Sequence, residues 1–341
     1  MKTKLTLLLI FILVLALFTA CGNNQSTEAL TTVRVSEVTR SVFYAPQYAA
    51  IELGFFEAEG ISIDLVTSDG ADRVMTALLS GAADIGLSGP EAAIYVWAGG
   101  RTDYAVVFAQ LTQRDGSFLI AREPMPNFTW DAIRGSHVLP GRRGGMPFMV
   151  LEYVMRGQGI LPGEDVEFDT SVQFGVMVSA FLGGTADFVT AFEPVASTIE
   201  LEGRGYVVAS IGEASGDIPY TAYYALGSFM ADNPELIKGF TRAITRGQQW
   251  VYDNPPEVIA EVIAPFFPDA DPVILASAIA RYKEIEAYAR LPIVSEDGFA
   301  RLQRVMDSAG ELPAYAPFGT LVDNTFAQYA AASLMNASTS P

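Results

Sequence analysis

From Val33 onward, short β-branched runs alternate with longer segments of helical spacing. "VRVSEV" and "ISIDLV" read as strands, and "YAPQYAAIELGFFEAEG" between them as a helix that stops at Gly54. "ADRVMTALLSG" is a helix closed by Gly81, "ADIGLS" a third strand, "PEAAIYVWAGG" a helix and "YAVVFAQL" a fourth strand. Period-two and period-3.6 segments in strict alternation, joined by short polar loops, predict right-handed βαβ units and a mostly parallel sheet.

The second half starts the pattern again. "SFLIAR", "SHVL", "VEFDTSV", "ADFVTAF" and "YVVASI" read as strands, separated by "TWDAIRG", "GRRGGMPFMVLEYVMRGQG", "VMVSAFLGG" and "PVASTIELEGR" as helices. "TAYYALGSFM" leads out into a tail of helical spacing that runs to about Met335, with Asp232, Asn254, Asp271 and Ser295 as helix-starting residues. One stretch echoes another without gaps: Ala77–Glu91 aligns on Ala180–Pro194, matching Ala77, Leu79, Gly81, Ala83 and Asp84 with Ala180, Leu182, Gly184, Ala186 and Asp187. The fold class expected is α/β, in two lobes with a helical C-terminal tail. One lobe takes residues 33–117 plus 225–336 and the other 122–220. The hinge is expected near Ser117–Arg122 and Tyr220–Leu226.

The first thirty residues follow a different pattern. Lys2 and Lys4 precede an apolar run from Leu5 to Phe18, shorter than the roughly 18 to 20 apolar residues of a spanning helix. That is the layout of a secretory signal peptide, residues 1–20. "LFTAC" resembles the lipobox of bacterial lipoproteins, with Phe18 where an aliphatic residue is usual, which implies that Cys21 is acylated. Residues 21–32 are then a polar tether. An acylated Cys21, the chain's one cysteine, leaves neither a free thiol nor a disulfide.

Composition narrows the function. The net charge of −18 over 341 residues sets the chain against nucleic acid, whose phosphates dominate binding, and against anionic headgroups. A lipid anchor is the expected hold on a membrane, on its extracytoplasmic side. No zinc-type Cys/His spacing, P-loop or nucleophile elbow is present. The one histidine, His137, sits in a strand and reads as structural. Glu91, Asp115 and Glu193 are acids without a sequence partner. No cofactor, metal or catalytic residue is expected.

Ligands of open parallel sheets sit beyond the carboxyl ends of the strands. Loops at those ends supply Tyr44, Ser88, Gly89, Gln110 and Thr112 from the first half. The second half supplies Arg142, Gly144, Gly145, Met146, Gln173, Phe174, Thr190, Phe192, Glu193 and Tyr220. Aromatic walls with a few polar groups suit a small molecule. In "GRRGGM" the glycines admit close backbone approach, and Arg142 or Arg143 faces either the ligand or solvent. Glu193 either reads a ligand N–H or complements the following helix dipole.

"FYAPQYAAIELGFFEAEGISIDLVTSDGADRVMTALLSGAADIGLSGPEAA" carries a resemblance. Tyr48, Ala50, Gly54, Phe55, Phe56, Gly60 and Ile61, with the "ALLSGAADIGLSG" stretch, are similar to the solute-binding proteins of ABC importers in the sulfonate, nitrate and taurine group. That group includes binders of thiamine pyrimidine precursors. The resemblance implies a two-lobed periplasmic-binding-protein-like fold of type II that closes on ligand, working as a monomer with a permease and its ATPase. The aromatics and Glu193 favour a heterocycle, such as a thiamine pyrimidine precursor or a riboflavin-like compound. A sulfonate, taurine or nitrate is the alternative. Related pyrimidine synthases need a histidine and a lysine in the site, and neither has an evident counterpart here.

Overall fold

The computed structural model describes residues 29–338, so the expectations for the signal segment, Cys21 and most of the tether fall outside the described residues. Ten strands are present among the described residues: β1 Thr31–Glu37, β2 Ile61–Thr67, β3 Ile85–Ser88, β4 Ala105–Thr112, β5 Ser117–Ala121, β6 His137–Leu139, β7 Glu167–Phe168, β8 Phe188–Phe192, β9 Tyr206–Ser210 and β10 Thr221–Leu226. They form two five-stranded sheets, ordered β2-β1-β3-β10-β4 and β7-β6-β8-β5-β9. The architecture is α/β and two-lobed.

Both sheets are mixed. β1 pairs parallel with β2 and β3, and β6 pairs parallel with β7 and β8. β10 runs antiparallel between β3 and β4, and β5 antiparallel between β8 and β9. Each antiparallel strand is the one that has just arrived from the other sheet. "TAYYAL", read from sequence as a lead-out, is therefore a central strand, buried from Thr221 to Ala225. The passages between sheets are 113–116 and 216–220, just before the positions expected for the hinge. Ser117 and Thr221 already begin strands, because "SFLIA" and "TAYYAL" are apolar enough to be buried on both faces.

The sequence echo has a structural basis. Helices Ala71–Leu79 and Met177–Leu182 both end before a left-handed glycine, Gly81 at φ 73° and Gly184 at φ 94°. The chain then turns at Ala-Asp into β3 or β8. Asp84 Oδ2 accepts the Arg34 N–H at 2.9 Å, and Asp187 Oδ2 accepts the His137 N–H at 2.9 Å. The aspartate thus fixes each strand against its parallel neighbour, which places Ser88 and Ala191 at equivalent strand ends. At His137 it is the backbone N–H that serves this framework.

The tail helices are Pro234–Asp253, Pro256–Ile263, Pro272–Glu284, Glu296–Ser308, Phe318–Leu321 and Thr325–Ser338. Asp271 and Ser295 cap theirs through their side chains, whereas the other two starts shift by one residue, to Asn233 and Pro255. "TWDAIRG" forms only a 3-10 turn, Trp130–Ile133. The tail reaches both sheets. Helix Pro272–Glu284 packs on the Val42–Tyr44 turn and on helix Val195–Leu201, while Glu296–Ser308 packs on Glu91–Ala98 and on Met146–Gly157. Among the described residues, no helix is long and apolar enough to cross a membrane.

Helix Pro234–Asp253 buries Ile237, Phe240, Ile244 and Val251 along one stripe and lies against helix Ala45–Glu52. Their closest approach is at Gly247, where a methyl group would collide with the backbone oxygen of Pro46 and meet Ala50 Cβ at 3.0 Å. Gly→Ala favours an isolated helix by about 1 kcal/mol, but forcing two backbones apart costs about 1–3 kcal/mol. Gly247→Ala is therefore expected to lower stability by about 1–2 kcal/mol, read by urea unfolding. An unchanged or raised midpoint would show that the helices separate without cost.

Candidate functional site

The two passages between sheets lie side by side. Thr221 N–H donates to Thr112 Oγ1 at 3.0 Å, Ile218 N–H to the Gln113 carbonyl at 2.8 Å and Tyr220 N–H to the Thr112 carbonyl at 3.3 Å. This pairing holds the carboxyl ends of β3 and β8 on either side of one junction. Thr112, among the residues expected to touch ligand, ties the passages together.

The turn after β1 fills the junction from the first sheet. Ser41 Oγ accepts the Phe43 N–H at 3.2 Å and opens the turn Val42–Tyr44. Beneath it, Glu37 accepts from Gln47 Nε2 at 2.9 Å, Tyr48 OH at 3.0 Å and Thr67 Oγ1 at 3.1 Å, with Arg40 Nη1 also 3.1 Å away. The Arg40 guanidinium lies over the rings of Tyr48 and Phe266. This network fixes the direction in which Phe43 and Tyr44 project.

Phe43 meets aromatic rings from every direction. Its centroid is 6.0 Å from Tyr44, 5.9 Å from Phe192, 5.7 Å from Tyr220 and 5.1 Å from Tyr282. Phe192 comes from the second sheet, Tyr220 from a passage and Tyr282 from the tail, so both lobes share one aromatic core. Gly116 is required here, since a Cβ would stand 2.6 Å from Phe43 Cε2. Tyr44, Thr190 and Tyr220 are all buried.

Two carboxyl groups are buried in the same region. Glu91 opens helix Glu91–Ala98 and folds its carboxylate back over Gly89. Asp115 Oδ1 accepts the Ser117 N–H and Oγ–H, each at 2.6 Å. Among the described residues, Glu91 Oε2, Asp115 Oδ2, Thr190 Oγ1 and the Tyr220 hydroxyl meet no partner in good hydrogen-bond geometry. The Tyr220 hydroxyl leans on Asp115 without closing a well-formed hydrogen bond, and both carboxylates push its pKa well up, after burial itself. Glu91 also raises Tyr44. Glu91, Asp115, Tyr220 and Tyr44 therefore share one low-dielectric neighbourhood.

Glu193, the acid singled out in the sequence, faces the protein. It is 1% exposed, and its carboxylate accepts from Ser197 N–H at 2.9 Å, Ser197 Oγ at 2.9 Å and Arg281 Nη1 at 2.7 Å. Its own N–H donates to the Tyr282 hydroxyl at 2.9 Å. It starts helix Val195–Leu201 and anchors the tail, and three internal donors leave little capacity for a ligand. Gln110 also departs from expectation. It lines a depression of about 370 Å3 with Gln113, Asp217, Pro219 and Arg290, and its backbone is held by Pro292 and Gln248.

The remaining expected residues divide. Ser88 Oγ and the Tyr224 hydroxyl are 2.6 Å apart, and Gly89 lies under Glu91. Arg142 reaches across to Asp72 at 3.1 Å and the Gly144 carbonyl accepts from Tyr95 OH at 3.4 Å, so the glycine loop latches one lobe to the other. Gly145 precedes, and buried Met146 begins, helix Met146–Gly157. Gln173 is exposed, and Phe174 starts a 3-10 turn. Arg281 and Tyr282 were missed: nothing in an amphipathic tail helix marks a residue that answers a distant carboxylate. Glu91 and Asp115 were noted as acids, but their burial comes only with the fold.

Burial pushes Glu37, Glu91 and Asp115 each up to about 7, more than their hydrogen bonds and neighbouring arginines pull them down. Each binds its proton more tightly folded than unfolded, so its stabilising contribution is whole below the unfolded value and is lost as pH rises through about 7. The ligand-free melting temperature is expected to fall by about 5 °C or more between about pH 5 and about pH 8, then level off. A differential scanning series checks this. A rise across that window would mean that these carboxyls are ionised and paired.

Residues 42–258 match the sequence profile described as NMT1/THI5 like. The chain belongs to the NMT1/THI5-like family. A binding protein of Bacillus subtilis strain 168, YtlA, is 43% identical over 304 residues, covering 89% of this chain and 91% of YtlA. The riboflavin-binding protein RibY of Chloroflexus aurantiacus is 25% identical over 292 residues, covering 78% of this chain and 80% of RibY. The alkanesulfonate-binding protein SsuA from Xanthomonas axonopodis pv. citri, solved with MOPS bound, superposes with a TM-score of 0.71 at 14% identity. That superposition covers 86% of this chain and 98% of SsuA. As an NMT1/THI5-like protein the chain has the two-lobed fold of solute-binding proteins.

Proposed function

We propose that this chain is the extracytoplasmic solute-binding receptor of an ABC importer, held to the membrane through acylated Cys21 and handing its ligand to a permease and its ATPase. It binds without turnover and works as a monomer. Its first lobe is built on the sheet β2-β1-β3-β10-β4 and its second on β7-β6-β8-β5-β9, and they close on the ligand about the paired passages. One observation carries the reading: aromatic rings from both sheets, Phe43 and Tyr44 against Phe192, meet at a junction where buried polar atoms have no protein partner. Flat aromatic faces beside a few polar groups suit a small heterocycle, of the thiamine-pyrimidine-precursor or riboflavin type. A sulfonate, taurine or nitrate is the alternative ligand.

Denaturing the purified mature chain and identifying the released small molecule by mass spectrometry tests this. A nitrogen heterocycle recovered unchanged after incubation supports the receptor. A sulfonate, or a chemically altered product, contradicts it.

A further inference from the structure

The depression of about 370 Å3 beside Gln110 is walled from three parts of the chain. Gln113 comes from the first passage between the sheets, residues 217–219 from the second, and the rest from the tail between Arg290 and Gly298. Its sides are apolar at Ile218, Pro219, Leu291 and Ile293. Apolar walls with a few polar groups are the make-up of a small-molecule site. What such a site takes depends on which of its polar groups are still unspent.

Most of them are committed. Asp217 Oδ1 accepts from Arg114 Nε at 2.7 Å, so that acid already has its counter-charge. Gln113 Nε2 donates to the Glu286 carbonyl at 3.0 Å. Ser295 Oγ accepts the Gly298 N–H at 3.0 Å, and Glu296 and Asp297 fill the first turn of their helix, so the helix end offers an anion nothing of its own. Arg290 and Gln110 differ. The Arg290 guanidinium lies 4.0 Å from the centre of the Tyr252 ring, which positions it without using its N–H groups. Among the described residues it has neither an ion pair nor a hydrogen bond. Gln110 is 9% exposed, and its backbone is held by Pro292 and Gln248. Its side-chain amide has no protein partner, yet it is not sealed from solvent as Gln248 Oε1 is. Buried amides ordinarily find partners, and this one opens on the depression it lines. A guanidinium and an amide N–H together match a carboxylate.

We propose that this depression is a second small-molecule site, separate from the one at the aromatic junction, and that it takes a small aliphatic monocarboxylate. Arg290 and the Gln110 amide donate to the carboxylate. Ile218, Pro219, Leu291 and Ile293 cover the alkyl chain. The occupant touches both connections between the lobes, since Gln113 and residues 217–219 lie in them. The receptor reading does not depend on this site and stands if the site fails.

The test uses three probes of one length and different charge: hexanoate, neutral hexanamide and hexylamine. Each is titrated calorimetrically into the mature chain and into Arg290→Met and Gln110→Met. Hexanoate is expected to bind the unmodified chain at one site, hexanamide about tenfold or more weakly, and hexylamine not at all. Arg290→Met is expected to weaken hexanoate about tenfold or more, and Gln110→Met about threefold or more. Arg290 is exposed, so Arg290→Met is expected to melt within about 2 °C of the unmodified chain, and its lost affinity reports the guanidinium. Arg290→Lys, which keeps the charge but not the fork, is expected to recover part of that affinity. Hexanoate binding that Arg290→Met leaves unchanged would seat the probe elsewhere, at the junction included, and overturn the assignment. Binding of hexylamine in place of hexanoate would overturn it, as would no binding of hexanoate up to about 10 mM.

Discussion

Arg281→Met is expected to lower the unfolding free energy by about 3 kcal/mol or more, the largest effect of any single substitution considered. Arg281 Nη1 lies 2.7 Å from Glu193 Oε1 and Nη2 lies 2.7 Å from Glu200 Oε2. The Glu193 side chain is fully buried, whereas Arg281 and Glu200 keep partial exposure at 27% and 31%. Removing the arginine strands a buried carboxylate beside a half-exposed one, and the surface pair adds little. The methionine stem keeps the packing on Phe118, over which the guanidinium now lies at 5.4 Å, so the loss reports the charge. Glu193→Gln keeps the acceptor for Ser197 but turns an amide donor towards Arg281, with an expected cost of about 1–3 kcal/mol. Urea unfolding of both variants checks this. If Arg281→Met unfolded within about 0.5 kcal/mol of the unmodified chain, as distant surface changes do, the tail would be held to the second lobe by something else.

Gly212→Ala is expected to damage binding and stability together. A methyl group at 212 would overlap the backbone oxygen of Asp115 and stand 3.2 Å from Arg114 Cβ. Gly212 lies in helix Ile211–Ser215, which leads into the second passage, and Asp115 lies in the first. The contact therefore joins the two connections between the lobes, and backbone cannot swing aside as a long side chain would. Overpacking of this kind costs about 1–3 kcal/mol, more than the roughly 1 kcal/mol that alanine returns in a helix. Displacing Asp115 also moves Tyr220, which leans on it beside Phe43, so affinity for the compound recovered from the chain is expected to fall about tenfold. Calorimetry and thermal unfolding of one preparation read both effects. Unchanged affinity in a destabilised variant would separate Asp115 from the site.

The strand–helix alternation was legible because buried parallel strands and amphipathic helices leave different periods in the sequence. The Ala77–Glu91 echo was legible for a more specific reason: Asp84 and Asp187 perform the same backbone pairing in each sheet. β10 was not legible as a central strand, since "TAYYAL" reads as a buried run and nothing local says which sheet receives it. Its direction depends on the crossing at 216–220.

The candidate loops could be read from strand ends, but what each side chain in them touches could not. Tyr44, Ser88, Thr190, Phe192 and Tyr220 follow from strand ends. Glu193 was overvalued because an acid between Phe192 and Pro194 looks unsatisfied until Ser197 and Arg281 are in place. Glu91 and Asp115 show the reverse. Each looks like an ordinary loop or helix-start acid, and its burial comes only with the fold. Counter-charges supplied from far along the chain are the information that local pattern lacks.

The most direct measurement is the crystal structure of the mature chain carrying the compound recovered from it. The compound is expected at the junction beside the Phe43, Tyr44 and Phe192 cluster, touching both lobes, with Glu193 still held by Ser197 and Arg281. A compound seated instead in the depression beside Gln110 and Arg290 would contradict the account.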